Sequence, residues 1–277
     1  MTRPAEVTGV HSRILRCTLA VADARAYWAV PDPGRIAAPG TGPSAGRTDR
    51  AFREYWFGAR SHARVETLLA NLRVRFDAYP EALAVLRAWP EMDPATRAVI
   101  CHWHLQLADP LYREFTGDFL AQRVADGRPE VTRALAVGWV SDQDSGRWTM
   151  STRIEFAVKL MAAAAEAGIV GSRVDPRPLR APRVPDDALL YLLHLLRGVD
   201  FVGTLLENPY LASVGLTGDV LASRLRTLPG VRYARQGTVI DLAFHHDSLA
   251  AWSASLRPAA PPLADDTAAA LTPARFA

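Results

Sequence analysis

Apolar residues recur along this chain at helical spacing, and prolines and glycines mark where each helix must stop. Ser61 is placed to cap a helix in which Val65, Leu68, Leu69, Leu72 and Phe76 share one face, and Pro80 ends that helix at Tyr79. Shorter helices are predicted over 81–88, over 94–107 with a proline in the first turn, and over 111–124. Together they predict an N-terminal helical bundle over 49–128. With 277 residues and 49% hydrophobic content the chain can bury a substantial core, and the length suggests two compact units.

The second unit is expected over 129–256. Thr152 and Glu155 have the spacing of a capping box, and Ile154, Val158, Met161 and Ala165 form the expected buried stripe of a helix closed by Gly168. Residues 169–185 carry too many prolines for regular helix, so extended strands or a wing are expected there. Asp186 or Asp187 starts an apolar helix over 188–196, a short helix follows over 201–206 and halts at Asn208 and Pro209, and Thr217 begins a third that ends near Leu228. Residues 231–244 alternate as a hairpin with Gln236 and Gly237 at its turn. Three helices and a ribbon are the order of a winged helix, so the expected class is mainly α: a helical bundle, then winged-helix-like elements with short β-hairpins. Residues 1–48 hold an apolar stretch, 14–28, and a Pro/Gly-rich flexible loop, 31–46; residues 257–277 read as a disordered tail.

No stretch reaches the roughly 18 apolar residues of a membrane helix, since Glu166 interrupts 160–170, and Arg3, Glu6, Arg13 and Arg16 break any secretory leader. A cytoplasmic protein without a membrane partner is expected. Cys17 and Cys101 are too few and too far apart for a disulfide framework or a thiolate metal site. On a helix His102 and His104 lie about 200° apart, and on a strand His245 and His246 face opposite ways, so neither pair is expected to bind metal and no cofactor is implied; core packing or capping is expected for His102 and His104. The phosphate-loop, nucleophile-elbow and His-Glu-x-x-His patterns are missing, which favours a non-enzymatic role.

Net charge is only +3, so distribution matters more than total. Lys159 is the sole lysine, leaving 31 of the 32 basic residues as arginine, a group that grips phosphate or guanine with paired hydrogen bonds. The strongest cluster runs from Ser223 to Gly237, with Arg224, Arg226, Arg232 and Arg235 and no acidic residue. Leu221, Leu225 and Leu228 face the core, which turns Ser223, Arg226 and Thr227 outward as groove-facing candidates, with Gln236 at the wing tip. An arginine-rich solvated face is the bland alternative. A second cluster, Arg173, Arg177, Arg180 and Arg183, could track a phosphate backbone or could be a linker paired with Asp186 and Asp187. A third stripe, Arg64, Asn71 and Arg75, could touch a partner, although ordinary solvated helix surface is the favoured account. All of these are DNA-binding candidates.

The order of the helix end at Phe119-Leu120, Trp148 followed by Ser151-Thr152, a helix to Gly168-Ile169 and the later Leu-rich helices resembles the BrxA family, an accessory component of BREX phage-defence systems. The run 60–75, with Ser61 and the Arg73/Arg75 end, is similar to that family's helix ahead of its first core repeat, and the resemblance spans about residues 50–256. It implies a helical, cytosolic protein that binds double-stranded DNA and supports discrimination and restriction of phage DNA beside a methyltransferase and ATPases. The Pro/Gly loop from Pro31 and the Pro-rich tail depart from it. A protein–protein scaffold of the same complex and a winged-helix transcriptional regulator are the alternatives.

Overall fold

The computed structural model describes residues 3–30, 45–89, 91–144, 146–171, 174–237 and 239–256. The loop and tail expected over 31–46 and 257–277 fall almost wholly outside them, as does Arg173. The chain is mainly helical, with two small antiparallel sheets. It runs through α1 (Arg13–Arg16), α2 (Val21–Ala29), α3 (Ala45–Arg53), α4 (His62–Phe76), α5 (Pro80–Ala88), α6 (Pro94–Ala108) and α7 (Pro110–Glu114); a π-helical turn, Phe115–Leu120, then leads into α8 (Ala121–Ala125). After β1 (Glu130–Val131) come α9 (Arg133–Gln143), α10 (Met150–Glu166), β2 (Arg177–Pro178), α11 (Asp186–Arg197), α12 (Pro209–Ala212), α13 (Gly218–Thr227), β3 (Val231–Gln236), β4 (Val239–Phe244) and α14 (Leu249–Ser255).

The helix starts follow capping chemistry. Ser61 accepts from the Arg64 amide, Asp93 from Ala95, Asp109 from Tyr112, Thr132 from Leu135 and Ser248 from Ala251. Two starts differ from expectation. Thr149, not Thr152, caps α10, so the helix begins at Met150. Asn208 and Pro209 begin a helix rather than end one: Asn208 accepts from the Leu211 amide and Pro209 takes the first helical position, while 201–206 is irregular.

Helix α6 lies at the centre. From Val99 to Ala108 every residue is buried, the pattern of a helix surrounded on all sides. It touches α2, α4, α7, α10 and α11. His102 and His104 point to two different sides of it: His102 meets the Tyr112 hydroxyl at 2.9 Å and Ser213 Oγ at 2.8 Å, and His104 meets the Arg75 carbonyl at 2.9 Å and the Tyr191 hydroxyl at 2.7 Å. Both are core residues. The buried apolar cluster runs without a break from Ile14 to Trp252.

The extended N-terminal stretch ties the two halves of the chain together. On either side of Ala5 the Glu6 amide donates to the Asp200 carbonyl at 2.9 Å and the Asp200 amide donates to the Pro4 carbonyl at 2.8 Å, and the Val7 amide donates to the Leu107 carbonyl at 2.8 Å. The buried Glu6 carboxylate takes the Val202 amide at 3.1 Å, the Tyr210 hydroxyl and, at 3.6 Å, the Arg113 guanidinium. Such a buried pair is tolerated because its remaining acceptors are satisfied by hydrogen bonds.

Strand β1 pairs with β2, and the same chain segment continues into a bridge between Val170 and Leu179, so 129–131, 177–180 and 169–171 lie side by side around α9 and α10. Strands β3 and β4 pair from Val231–Phe244 to Gln236–Val239. Gln236 therefore ends a strand, and the turn starts one residue later at Gly237, whose φ of +61° favours glycine.

Candidate nucleic-acid interface

Helix α13 buries Leu221, Ala222 and Leu225 and exposes Ser223, Arg226 and Thr227, the division expected from its spacing. Arg226 has no hydrogen-bond or ion-pair partner among the described residues. Arg224 behaves differently. Its Nη2 donates to the Val184 carbonyl at 2.7 Å and pairs with Asp186 Oδ1 at 2.7 Å, so it clamps the segment before α11 against α13.

On the hairpin, Arg232 Nη2 lies 3.4 Å from Asp241 Oδ2, with both side chains more than half exposed. Arg235 Nη1 lies 3.7 Å from Asp219 Oδ1, and Asp219 is fully exposed. Three of the four arginines in this cluster thus have an acidic neighbour, brought from 186, 219 and 241 by the fold. Both pairs are solvated and add little to stability. A phosphate can replace such a carboxylate partner. Gln236 is exposed at the end of β3, as expected of a tip residue.

The second cluster lies beside the first. Arg180 and Arg183 are exposed without ion-pair partners among the described residues, and neither Asp186 nor Asp187 serves them: Asp186 pairs with Arg224, and Asp187 accepts from Thr96 Oγ1 at 3.2 Å and the Ala188 amide at 2.8 Å. Arg177 is held at 2.7 Å by Asp175, whose other oxygen takes the Arg133 amide at 2.7 Å. That amide, and then Arg177, hold the Asp175 carboxyl below its ordinary range. The turn before α13 touches the segment that follows β2, since a Cβ on Gly215 would sit 3.1 Å from Ala181 Cβ.

Two of the three residues of the third stripe, Asn71 and Arg75, do not reach solvent, and Arg64 is half-buried. Arg75 is 3% exposed and donates to the Leu19 carbonyl at 3.0 Å and the Cys17 carbonyl at 2.7 Å; Asn71 is buried and donates to the Thr67 carbonyl. Arg64 gives Nη1 to the Arg16 carbonyl at 2.7 Å. The loop between α1 and α2 covers this face of α4, so neither the partner-facing nor the solvated reading of Asn71 and Arg75 holds.

Helix α10 also turns differently from its expected stripe. Phe156, Ala157, Leu160, Met161, Ala163 and Ala164 are buried, while Ile154 and Val158 are each 40% exposed and Met150 is 57% exposed. With Ala162 these form an apolar row at steps of four on the solvent side. Helices α9 and α10 followed by the 169–180 hairpin repeat the helix, helix, hairpin order of α12, α13 and β3–β4. The outer side of α10 is apolar, whereas that of α13 carries Ser223 and Arg226. The two units differ in surface chemistry.

Among the described residues no cluster of three or more His, Cys, Asp or Glu could hold a metal ion, and no helix is long and apolar enough to cross a membrane. No family model and no curated protein matches the sequence. Similarity is found to the crystal structure of an uncharacterized protein from Magnetospirillum magneticum, at 15% identity and a TM-score of 0.51, over 68% of this chain and 97% of that one. At that identity the likeness shows a shared fold and nothing further.

Proposed function

We propose that this chain binds double-stranded DNA without catalysing a reaction on it, as a cytoplasmic accessory protein of a BREX-like phage-defence system that works beside a methyltransferase and an ATPase. In this reading α12, α13 and the β3–β4 hairpin act as a winged-helix-like unit, with Ser223, Arg226 and Thr227 toward the groove and Arg232, Arg235 and Gln236 on the wing. The observation that carries it is the Arg224 clamp on Val184, which sets the irregular segment bearing Arg180 and Arg183 next to α13. Three arginines without carboxylate partners then stand on adjoining elements, suited to positioning a phosphate backbone.

The test is duplex binding by fluorescence anisotropy at two salt concentrations. Affinity should fall steeply with salt, and replacing Arg180, Arg183 and Arg226 together by alanine should flatten the logarithmic salt slope by about 3, near one per lost phosphate contact. Salt-independent binding, or none, would overturn the reading. The acidic neighbours of Arg224, Arg232 and Arg235 favour one alternative, a scaffold in which this surface docks protein. Recovery of partner subunits from nuclease-treated lysate, with no duplex binding by the pure chain, would select it.

A further inference from the structure

A cleft of about 900 Å3 opens between the π-helical turn and α8 on one side and the Leu179–Ala181 strand and the turn before α13 on the other. Its volume is that of a small-ligand pocket. Three side chains on its lining have chemistry left unused. Trp139 touches Phe119 and Phe115, at centroid distances of 5.6 and 5.2 Å, yet is only half-buried, and its indole N–H has no partner among the described residues. The Arg123 guanidinium lies over the Phe119 ring, 6.0 Å from its centroid, whereas no cation lies over the half-buried Trp139 among the described residues. Asp118, an exposed residue at the cleft mouth, carries a carboxylate with no hydrogen-bond partner among the described residues, and partial desolvation raises its carboxyl above the ordinary range.

Arg180 supplies the opposite charge. Its guanidinium lies over Gly171, where a Cβ would come within 2.8 Å of Nε, and it lines the same cleft. An aromatic plate, an acceptor-only carboxylate and an unpaired guanidinium in one cleft match the three parts of a nucleotide: a base to stack, an amino-bearing base edge to donate, and a phosphate to neutralise. The surrounding π-helical turn is a local widening of the helix of a kind frequent at functional sites. Here the turn brings Gly117 so close to Pro209 that a Cβ would lie 2.4 Å from the proline Cβ, which fixes the cleft wall.

We infer that this cleft takes one unstacked guanine nucleotide, its base on Trp139 with its amino edge toward Asp118 and its phosphate at Arg180. The inference rests on the DNA-binding reading and shares Arg180 with it, but uses none of the contacts of α13 itself, and Trp139 and Asp118 belong to the cleft alone. The nucleotide could be free or could be a base flipped from a strand, and the experiment separates the two sources.

Three probes are titrated against the full chain: a matched duplex, the same duplex with one bulged deoxyguanosine, and dGMP, followed by anisotropy and calorimetry. The bulged duplex should bind on the order of tenfold tighter, the effect of one base gaining an aromatic platform. Ala125→Trp fills the cleft from an exposed helix position and should remove that gain while leaving matched-duplex affinity unchanged; Trp139→Leu should do the same. If dGMP abolishes the gain by competition, free nucleotide is also a ligand; if it does not, the strand-borne base is the ligand. Should the matched duplex fail to bind at all, the α13 reading falls, while direct calorimetry with dGMP and Ala125→Trp still decides the cleft. Equal affinity for the two duplexes together with no heat from dGMP, or a gain that Ala125→Trp leaves intact, overturns the inference.

Discussion

His102 Nε2 lies 2.8 Å from Ser213 Oγ, whose own hydrogen is already given to the Tyr210 carbonyl at 2.8 Å. The hydrogen between them must therefore sit on His102 Nε2, leaving Nδ1 to accept from Tyr112. At His104 the order is reversed. Nδ1 faces the Arg75 carbonyl, which only accepts, so Nδ1 carries the hydrogen and Nε2 accepts from Tyr191. Two neighbouring histidines on one helix thus take opposite neutral tautomers, and each joins α6 to elements distant in sequence.

That arrangement predicts loss of stability in mild acid. Burial pushes His102 down to about 3 and His104 down to about 4, and His194 is likewise pushed down to about 4 by burial and then by Arg197. In the unfolded chain each titrates near 6.5. Between those limits the unfolded state binds more protons, so stability is full above about pH 6.5 and falls as the pH drops toward 4. Chemical denaturation at pH 7 and pH 5 should show a loss on the order of a few kcal/mol at pH 5, and His104→Gln should make the pH dependence shallower. An unchanged midpoint between the two pH values would contradict it.

Arg75 is a structural arginine and contrasts with Arg226, which we propose contacts DNA. Its guanidinium is the only donor recorded for the Cys17 and Leu19 carbonyls among the described residues, and Arg75→Ala strands both in a buried place. An unsatisfied buried acceptor costs about 1–3 kcal/mol. The variant should lose roughly 3 kcal/mol in urea unfolding while folded protein keeps its duplex affinity. Arg226→Ala should do the reverse: exposed and unpaired, it should leave stability within about 0.5 kcal/mol and weaken duplex binding.

At Gly117 the close approach of Pro209 allows no side chain, because a Cβ would also fall 2.8 Å from the proline Cα, an atom that cannot swing aside. Gly117→Ala should cost about 1–3 kcal/mol or more, as overpacked cores do, measured as a shift in denaturation midpoint. Gly138→Ala, on α9 with open space around it, is the matched control and should be neutral or slightly stabilising.

Much of the fold is legible wherever a local signal sets it. Ser61 and its apolar face give α4 its start and direction, the alternation over 231–244 gives the hairpin within one residue, and Leu221, Leu225 and Leu228 orient α13 correctly. What escapes sequence reasoning is set by partners far along the chain. Nothing near Arg75 announces that the carbonyls of residues 17 and 19 will cover it. Asp219 and Asp241 lie outside the basic run that they partly neutralise, one before it and one after it, and the cleft exists because 119, 139 and 180 converge. The Asn208-Pro209 pair was readable as a cap followed by a first-turn proline, and only the assumption that proline ends a helix hides it.

Helix α10 shows the same limit most sharply and supplies the test of its own orientation. By hydropathy Ile154 and Val158 belong inside, yet the side that meets α6 and α9 carries Ala157, Ala163 and Ala164 around Phe156 and Leu160. Small residues let helix axes approach closely, so packing distance rather than side-chain hydropathy selects the buried face. Ile154→Lys and Val158→Lys, both at 40% exposure, should each change stability by no more than about 1 kcal/mol. Phe156→Ala, fully buried against Trp148 with ring centroids 4.3 Å apart, should cost about 3–5 kcal/mol. If instead the lysine variants unfold the protein and Phe156→Ala is tolerated, α10 is rotated from the orientation described, and the contrast between its apolar outer face and the basic face of α13 disappears with it.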